Sequence, residues 1–200
     1  MAVCFDAFGA LVEIADRRDP YRTLLRALPP MARRECARRL MREDRATPDW
    51  PVLLGCEIPA DVLARVEAAI RDEANSIRMR PGFRAAWAAL RAKNLKLAVC
   101  SNLAAPYGPP LRAALPDAPD AVALSYELGT IKPELALYAA VARMLALPPD
   151  RIVFVGDSRA ADIDGPRRAG MQAMHVTDFE RAMSAGEELL PEYRSRDTSW

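Results

Sequence analysis

The sequence predicts an α/β fold, a Rossmann-like parallel sheet with an inserted α-helical cap. Three observations carry this. Short apolar runs at residues 2–6, 95–100, 121–124 and 152–155 alternate with helical stretches. Strands buried on both faces read as continuous apolar runs, as in parallel sheets covered by helices. Polar groups stand at the ends of three of these runs: Asp6, Ser101-Asn102 and Gly156-Asp157-Ser158. Between the first two runs lies a long helical, arginine-rich stretch with no convincing strand, residues 15–79.

Taken in order, residues 2–6 form the first strand and residues 7–14 turn, with Gly9 supplying backbone freedom. Asp19-Pro20 opens a helix to about Leu28, stopped by Pro29-Pro30. Residues 31–45 read as one helix, with Cys36, Ala37, Leu40 and Met41 on one face and arginines over the rest as solvated surface. Residues 47–51 break the chain, and a third helix follows Pro59 to about Ile77. Trp50 either packs the insert or lines a site.

Pro81-Gly82 starts a helix over residues 83–93, before the second strand. A Pro/Gly-rich loop at residues 106–110 leads to a short helix and the third strand at 121–124. Lys132-Pro133 opens a helix to about Ala146, the fourth strand follows at 152–155, and another helix runs to about Ala169. Residues 172–176 make a fifth strand that His175 helps to end, and residues 178–190 a last helix before a loose polar tail. The chain divides into a core of residues 1–14 and 80–200 and a cap of residues 15–79.

Composition narrows the function. Two hundred residues suit one domain with an insertion. Lys plus Arg is 28 and Asp plus Glu is 27, a formal charge of +1, which offers no electrostatic basis for nucleic-acid or membrane partners. No apolar run reaches spanning length, and the acidic residue at position 6 interrupts any leader pattern, so a cytoplasmic location is expected. Cys4, Cys36, Cys56 and Cys100 lie far apart and read as reduced thiols. With His175 the single histidine, a multi-histidine zinc site is excluded.

Ligands of open α/β sheets bind at the carboxyl ends of the strands. There Asp6, Asp157 and Asp162 offer carboxylates, Lys132 a cation, and Ser101 and Asn102 hydroxyl, amide and backbone donors. Carboxylate oxygens with water suit Mg²⁺; lysine, serine hydroxyl and backbone N–H suit a phosphoryl group. Simpler roles exist for some of them. Asp157 and Ser158 could cap the next helix, and Asp162 could serve as a first-turn acid.

Four motifs in order resemble the haloacid dehalogenase (HAD) superfamily, in the subgroup with a helical cap between the first and second motifs. They are Phe5-Asp6-Ala7-Phe8-Gly9-Ala10-Leu11, Val99-Cys100-Ser101-Asn102, Gly129-Thr130-Ile131-Lys132-Pro133-Glu134 with Tyr138 beyond it, and Val155-Gly156-Asp157-Ser158-Arg159-Ala160-Ala161-Asp162. The resemblance implies a five-stranded core of order 5-4-1-2-3 and a Mg²⁺-dependent hydrolase acting on a small phosphorylated molecule through an aspartyl-enzyme intermediate. Asp6 would be nucleophile and metal ligand, the Phe8 backbone carbonyl and Asp157 the other protein ligands. Ser101 and the Asn102 N–H would hold phosphate, Lys132 would neutralise charge, Asp162 would position Lys132, and Ser158 would support the motif.

Two positions depart from the pattern. The phosphatase members carry an Asp, the proton donor, where this chain has Phe8, and usually Thr or Ser where it has Ala10. An aromatic at that position, with Tyr138, resembles the metal-independent 2-haloacid dehalogenases, whereas the acidic fourth motif resembles the phosphatases. Metal-independent dehalogenation and ligand binding without turnover therefore stand as alternatives.

Overall fold

The computed structural model describes residues 1–186. The first strand, β1 (Ala2–Phe5), is buried on both faces. It runs through a turn into β2 (Val12–Ile14). A helical insert follows: α1 (Pro20–Ala27), α2 (Arg33–Leu40), α3 (Trp50–Leu54) and α4 (Ala60–Asn75). The chain returns as β3 (Ile77–Met79), which pairs antiparallel with β2. The remainder alternates: α5 (Phe83–Ala92), β4 (Lys96–Ser101), α6 (Gly108–Ala114), β5 (Ala121–Leu124), α7 (Ser125–Leu128) and α8 (Leu135–Leu145). Then come β6 (Ile152–Gly156), a π-helical turn (Arg159–Asp164), α9 (Gly165–Arg168), β7 (Gln172–His175) and α10 (Val176–Ala185).

The main sheet is parallel, in the order β5-β4-β1-β6-β7. Counting only these strands along the chain, it reads 3-2-1-4-5, the implied order seen from the other edge. Strand periodicity sorts the apolar residues into two cores. Val3, Phe5, Leu97, Val99, Val153 and Val155 face one side, where Phe83, Trp87 and Phe179 pack around Phe5. Cys4, Ala98, Cys100 and Phe154 face the other, against Leu137, Tyr138 and Val141 of α8. The order β4-β1-β6 brings the ends of these three strands side by side, so the polar residues following each run meet.

The insert departs from the sequence expectation in three places. Residues 15–79 do contain a strand, β3. A three-residue ribbon is too short to carry a period, and only its pairing with β2 defines it. The helix expected over residues 31–45 is confined to Arg33–Leu40. Beyond Met41 the run Arg42-Glu43-Asp44-Arg45 offers no apolar residue to bury. Residues 47–51, expected as a break, make a 3₁₀ turn (Thr47–Asp49) that leads directly into α3. Pro51 sits in the first turn of α3, where no N–H is needed, and so does not prevent it.

Smaller differences lie in the core. α7 is a single turn unmarked in the sequence, Pro109 and Pro110 lie inside α6 rather than in a loop, and α10 starts at Val176. The part of the last helix expected over residues 187–190, and the tail after it, lie outside the described residues. Trp50 is buried and packs at 5.6 Å on Tyr21. His175 ends β7 and caps α10, its Nδ1 accepting from the Thr177 N–H at 3.3 Å. Among the described residues no helix is long and apolar enough to cross a membrane.

Candidate active site

Asp6 follows directly on β1, its N–H donating to the Val155 carbonyl of β6 at 2.8 Å. Its Oδ1 accepts from Ser101 Oγ at 2.9 Å and from Lys132 Nζ at 2.7 Å. Ser101 is the last residue of β4, so strand register delivers it. Lys132 comes from the loop between α7 and α8, and Asn102 holds that loop in place. The Asn102 amide donates to the Lys132 carbonyl at 3.0 Å and accepts from the Lys132 N–H at 2.7 Å. The side chain of Asn102 thus fixes the lysine backbone rather than facing Asp6.

Lys132 Nζ also donates to Asp162 Oδ1 at 2.7 Å. Asp162 lies in the π-helical turn and is fully buried. Its Oδ2 accepts from the Ser158 N–H at 2.9 Å, while Ser158 Oγ accepts from the Ala161 N–H and caps the turn. The Tyr138 hydroxyl donates to the Ala161 carbonyl at 2.5 Å. Gly156 makes room for Asp162, since a Cβ there would lie 2.4 Å from the Asp162 carboxyl carbon.

Asp157 is exposed at the end of β6. It lies against Gly9, whose φ of +89° disfavours any side chain and whose added Cβ would meet Asp157 Oδ2 at 2.3 Å. The turn after Asp6 is thereby fitted to the turn after β6. Carboxylate oxygens of Asp6, Asp157 and Asp162 lie within 4.8 Å of one another, a grouping that could hold a metal ion.

The charges are strongly coupled. Burial pushes the Asp6 carboxyl above its ordinary value of 3.8, and the neighbouring Lys132 charge opposes that rise. Burial pulls Lys132 down, but the charges of Asp6 and Asp162 outweigh it and hold the ammonium well above the usual lysine range. Lys132 is 5% exposed and Asp162 0%, so neither charge is strongly screened by water.

Phe8 turns away from this cluster into a cleft of about 340 Å³ between the sheet end and the insert. Its ring meets Tyr107 edge-on at 6.1 Å, and Tyr107 packs on Tyr21 of α1 at 5.8 Å. Glu73 of α4, 3% exposed, lines the same cleft. It accepts from the backbone N–H groups of Arg18 and Asp19 at 2.7 and 2.8 Å and from the Tyr107 hydroxyl.

The sequence reading missed Glu73, Tyr107, Tyr21 and Arg80. Arg80 donates to the Gly9 and Ala10 carbonyls, both at 2.9 Å, and pairs with Glu180, bracing the turn after Asp6. Glu73 gave one usable signal, an acidic residue three positions after Ile70 on the buried face of α4. The arginine face of α2, expected to be solvated, reaches back to the core, where Arg38 and Arg42 pair with Glu134. Glu134 also accepts from Thr130 Oγ1 at 2.9 Å, so the insert touches the loop that carries Lys132.

Comparison with known proteins agrees with this architecture. The chain is 38% identical over 55 residues to glyceraldehyde 3-phosphate phosphatase of Methanopyrus kandleri. That match spans 28% of this chain and only 24% of the relative. Among solved structures, a HAD family enzyme of Bacteroides thetaiotaomicron, in complex with magnesium and inorganic phosphate, superposes with a TM-score of 0.62 at 14% identity, covering 87% of this chain and 92% of that one. CbbY of Rhodobacter sphaeroides, in complex with phosphate, gives 0.55 at 23% identity, covering 87% and 84%. At these identities the likeness is one of fold. The haloacid dehalogenase-like hydrolase family model matches residues 1–170, which hold all three strand ends and the insert between them, and the chain belongs to that family.

Proposed function

We propose that the protein is a phosphatase-type hydrolase that cleaves a small phosphorylated metabolite through a phosphoryl group carried on Asp6. The observation that carries this is the triad Asp6–Lys132–Asp162, bonded at 2.7 Å on both sides of the ammonium beneath a carboxylate group able to take a cation. Asp6 attacks phosphorus, and Lys132 offsets the negative charge on both partners. Asp162 and the Asn102 clasp aim Lys132 at Asp6. Ser101, which donates to Asp6, is positioned to turn its hydroxyl to a phosphate oxygen, beside the N–H of Asn102.

The donor set fits Mg²⁺, since hard carboxylate oxygens converge and Gly9 leaves Asp157 the space it needs. Lys132 and the Ser158 N–H occupy Asp162, so Asp6, Asp157 and the Phe8 carbonyl would hold the ion. When bound, Mg²⁺ would offset the repulsion between carboxylate and phosphate dianion. Residues 15–79 would act as the cap, closing on the cleft that Phe8 and Tyr21 line. The four free cysteines, Cys4, Cys36, Cys56 and Cys100, fit a reducing, cytoplasmic setting.

The test is a panel of phosphate esters with and without Mg²⁺, beside Asp6→Asn. Turnover surviving in Asp6→Asn removes Asp6 as nucleophile. Phe8 favours a second reading, metal-independent dehalogenation, in which halide leaves without a proton. Chloride release from 2-chloropropionate above the Asp6→Asn background, unaffected by chelators, would replace the phosphatase reading with this one.

A further inference from the structure

The cleft beside Asp6 has a composition that bears on what leaves when the phosphate bond breaks. Phe8, Tyr107 and Tyr21 line it with aromatic rings in mutual contact. Such rings favour a flat, apolar guest. The Tyr21 hydroxyl is buried and has no hydrogen-bond partner among the described residues. Closed to solvent, that hydroxyl is not offered to the cleft, so the ring faces are what a guest meets.

The same cleft holds no proton ready for a leaving group at Phe8. Phe8 has none to give. Glu73 accepts three hydrogen bonds, which engage both of its oxygens. The Tyr107 proton is committed to Glu73, and burial drives the phenols of Tyr107 and Tyr21 well above their usual range. Asp19, the remaining cleft carboxylate, is exposed to solvent.

We propose that this cleft receives the leaving group of an aryl phosphate, an aromatic alcohol able to depart as its own anion. The inference rests on the phosphatase reading above and adds the substrate class to it. Asp6 Oδ forms a bond to phosphorus, the bond from phosphorus to the aryl oxygen breaks, and its electron pair leaves on the aryloxide without a proton. Water oxygen then bonds to phosphorus, the Asp6 carboxylate departs with its electron pair, and the water protons end on phosphate and solvent. Without a base at Phe8 this second step is slow, so the phosphorylated enzyme accumulates.

The experiment is a leaving-group series with Mg²⁺, running from nitrophenyl through phenyl to alkyl phosphates, with nitrophenolate release followed by rapid mixing. kcat/KM is expected to fall by about 10²-fold or more across the series, the size of an absent general acid. Nitrophenolate should appear in a burst equal to the enzyme concentration, with one phosphoryl group per chain by intact mass. Phe8→Asp should narrow the range and abolish the burst.

Turnover with a flat series overturns this proposal and leaves the phosphatase reading standing. Absence of both turnover and a phosphorylated Asp6 with every ester overturns the two together.

Discussion

The strand-end cluster and the cleft beside it are built on opposite terms. In the cluster Lys132 bridges two carboxylates, Asn102 clasps the lysine backbone, and Ser158 secures Asp162. Asp6, Lys132 and Asp162 each have a charged partner within the protein, while Asp157 stays exposed. In the cleft Phe8, Tyr21 and Tyr107 stand beside Arg17, Asp19 and Arg22, and the buried Tyr21 hydroxyl has no partner among the described residues. A cluster that satisfies itself is preorganised for chemistry common to many substrates. A cleft whose lining mixes aromatic rings with charged side chains selects its guest by shape and charge.

The largest test of that division is Asp6→Asn. Loss of a nucleophile is expected to cost on the order of 10⁴-fold or more in kcat. Stability should move the other way. Burial raises the Asp6 carboxyl above 3.8, so between the ordinary and the raised value the native state binds more protons than the unfolded chain. Stability therefore falls as pH rises through that window, and at neutral pH the ionised Asp6 is a net burden on the metal-free fold. Asp6→Asn should raise the urea midpoint at pH 7 in chelator and lose that advantage in acid. Unfolding curves at the two pH values decide it, and a lower midpoint at pH 7 would contradict the assigned electrostatics.

Lys132→Met strikes the cluster from its centre. It leaves Asp6 and Asp162 facing each other without a cation, and breaking such a buried pair costs about 3–5 kcal/mol. The loss should shrink at acid pH, where a carboxylate can take a proton. Glu73→Ala tests the cleft in the same way. It strands the buried Tyr107 hydroxyl, at about 1–3 kcal/mol, and frees the part-buried N–H groups of Arg18 and Asp19 at a smaller cost. Its cost should be nearly independent of Mg²⁺, whereas bound Mg²⁺ should change that of Lys132→Met; chemical denaturation with and without the ion compares the two.

Gly9→Ala lies on the boundary. At φ +89° a side chain costs about 1–2 kcal/mol, and its Cβ also displaces Asp157. Calorimetric titration with Mg²⁺ should show weaker binding at an unchanged fold by circular dichroism. Unaltered affinity would remove Asp157 from the ligand set.

How much of this was legible in sequence follows the same division. The sheet was legible because each strand is an apolar run bounded by turn residues, and its order places Asp6, Ser101 and Asp157 at neighbouring ends. Asp6, Ser101 and Asp157 were legible because they sit at strand ends, and Lys132 and Asp162 because they belong to motifs that follow in order. The cleft was not. Tyr21, Glu73 and Tyr107 are separated by tens of residues, and each reads locally as an ordinary helix or loop residue. The insert was read as helical, yet β3 and α3 were missed, because one is defined only by pairing with β2 and the other carries a proline in its first turn.

The smallest effect separates the two regions most sharply. The Tyr21 ring packs between Trp50 and Tyr107, at 5.6 and 5.8 Å, and Phe keeps that packing. Its hydroxyl is buried without a partner, so Tyr21→Phe removes a desolvated group and loses no bond. The substitution should therefore be neutral or stabilising, by up to about 1 kcal/mol, as measured by urea denaturation of the free protein. A comparable hydroxyl deletion in the cluster, Ser101→Ala, removes a donor to a buried carboxylate and should cost about 1.5–3 kcal/mol. The two hydroxyls have opposite expected signs, because one is bonded within the fold and the other is buried without a bond. If Tyr21→Phe instead destabilises the free protein by as much as Ser101→Ala, the Tyr21 hydroxyl is bonded within the fold, and the contrast between cleft and cluster fails.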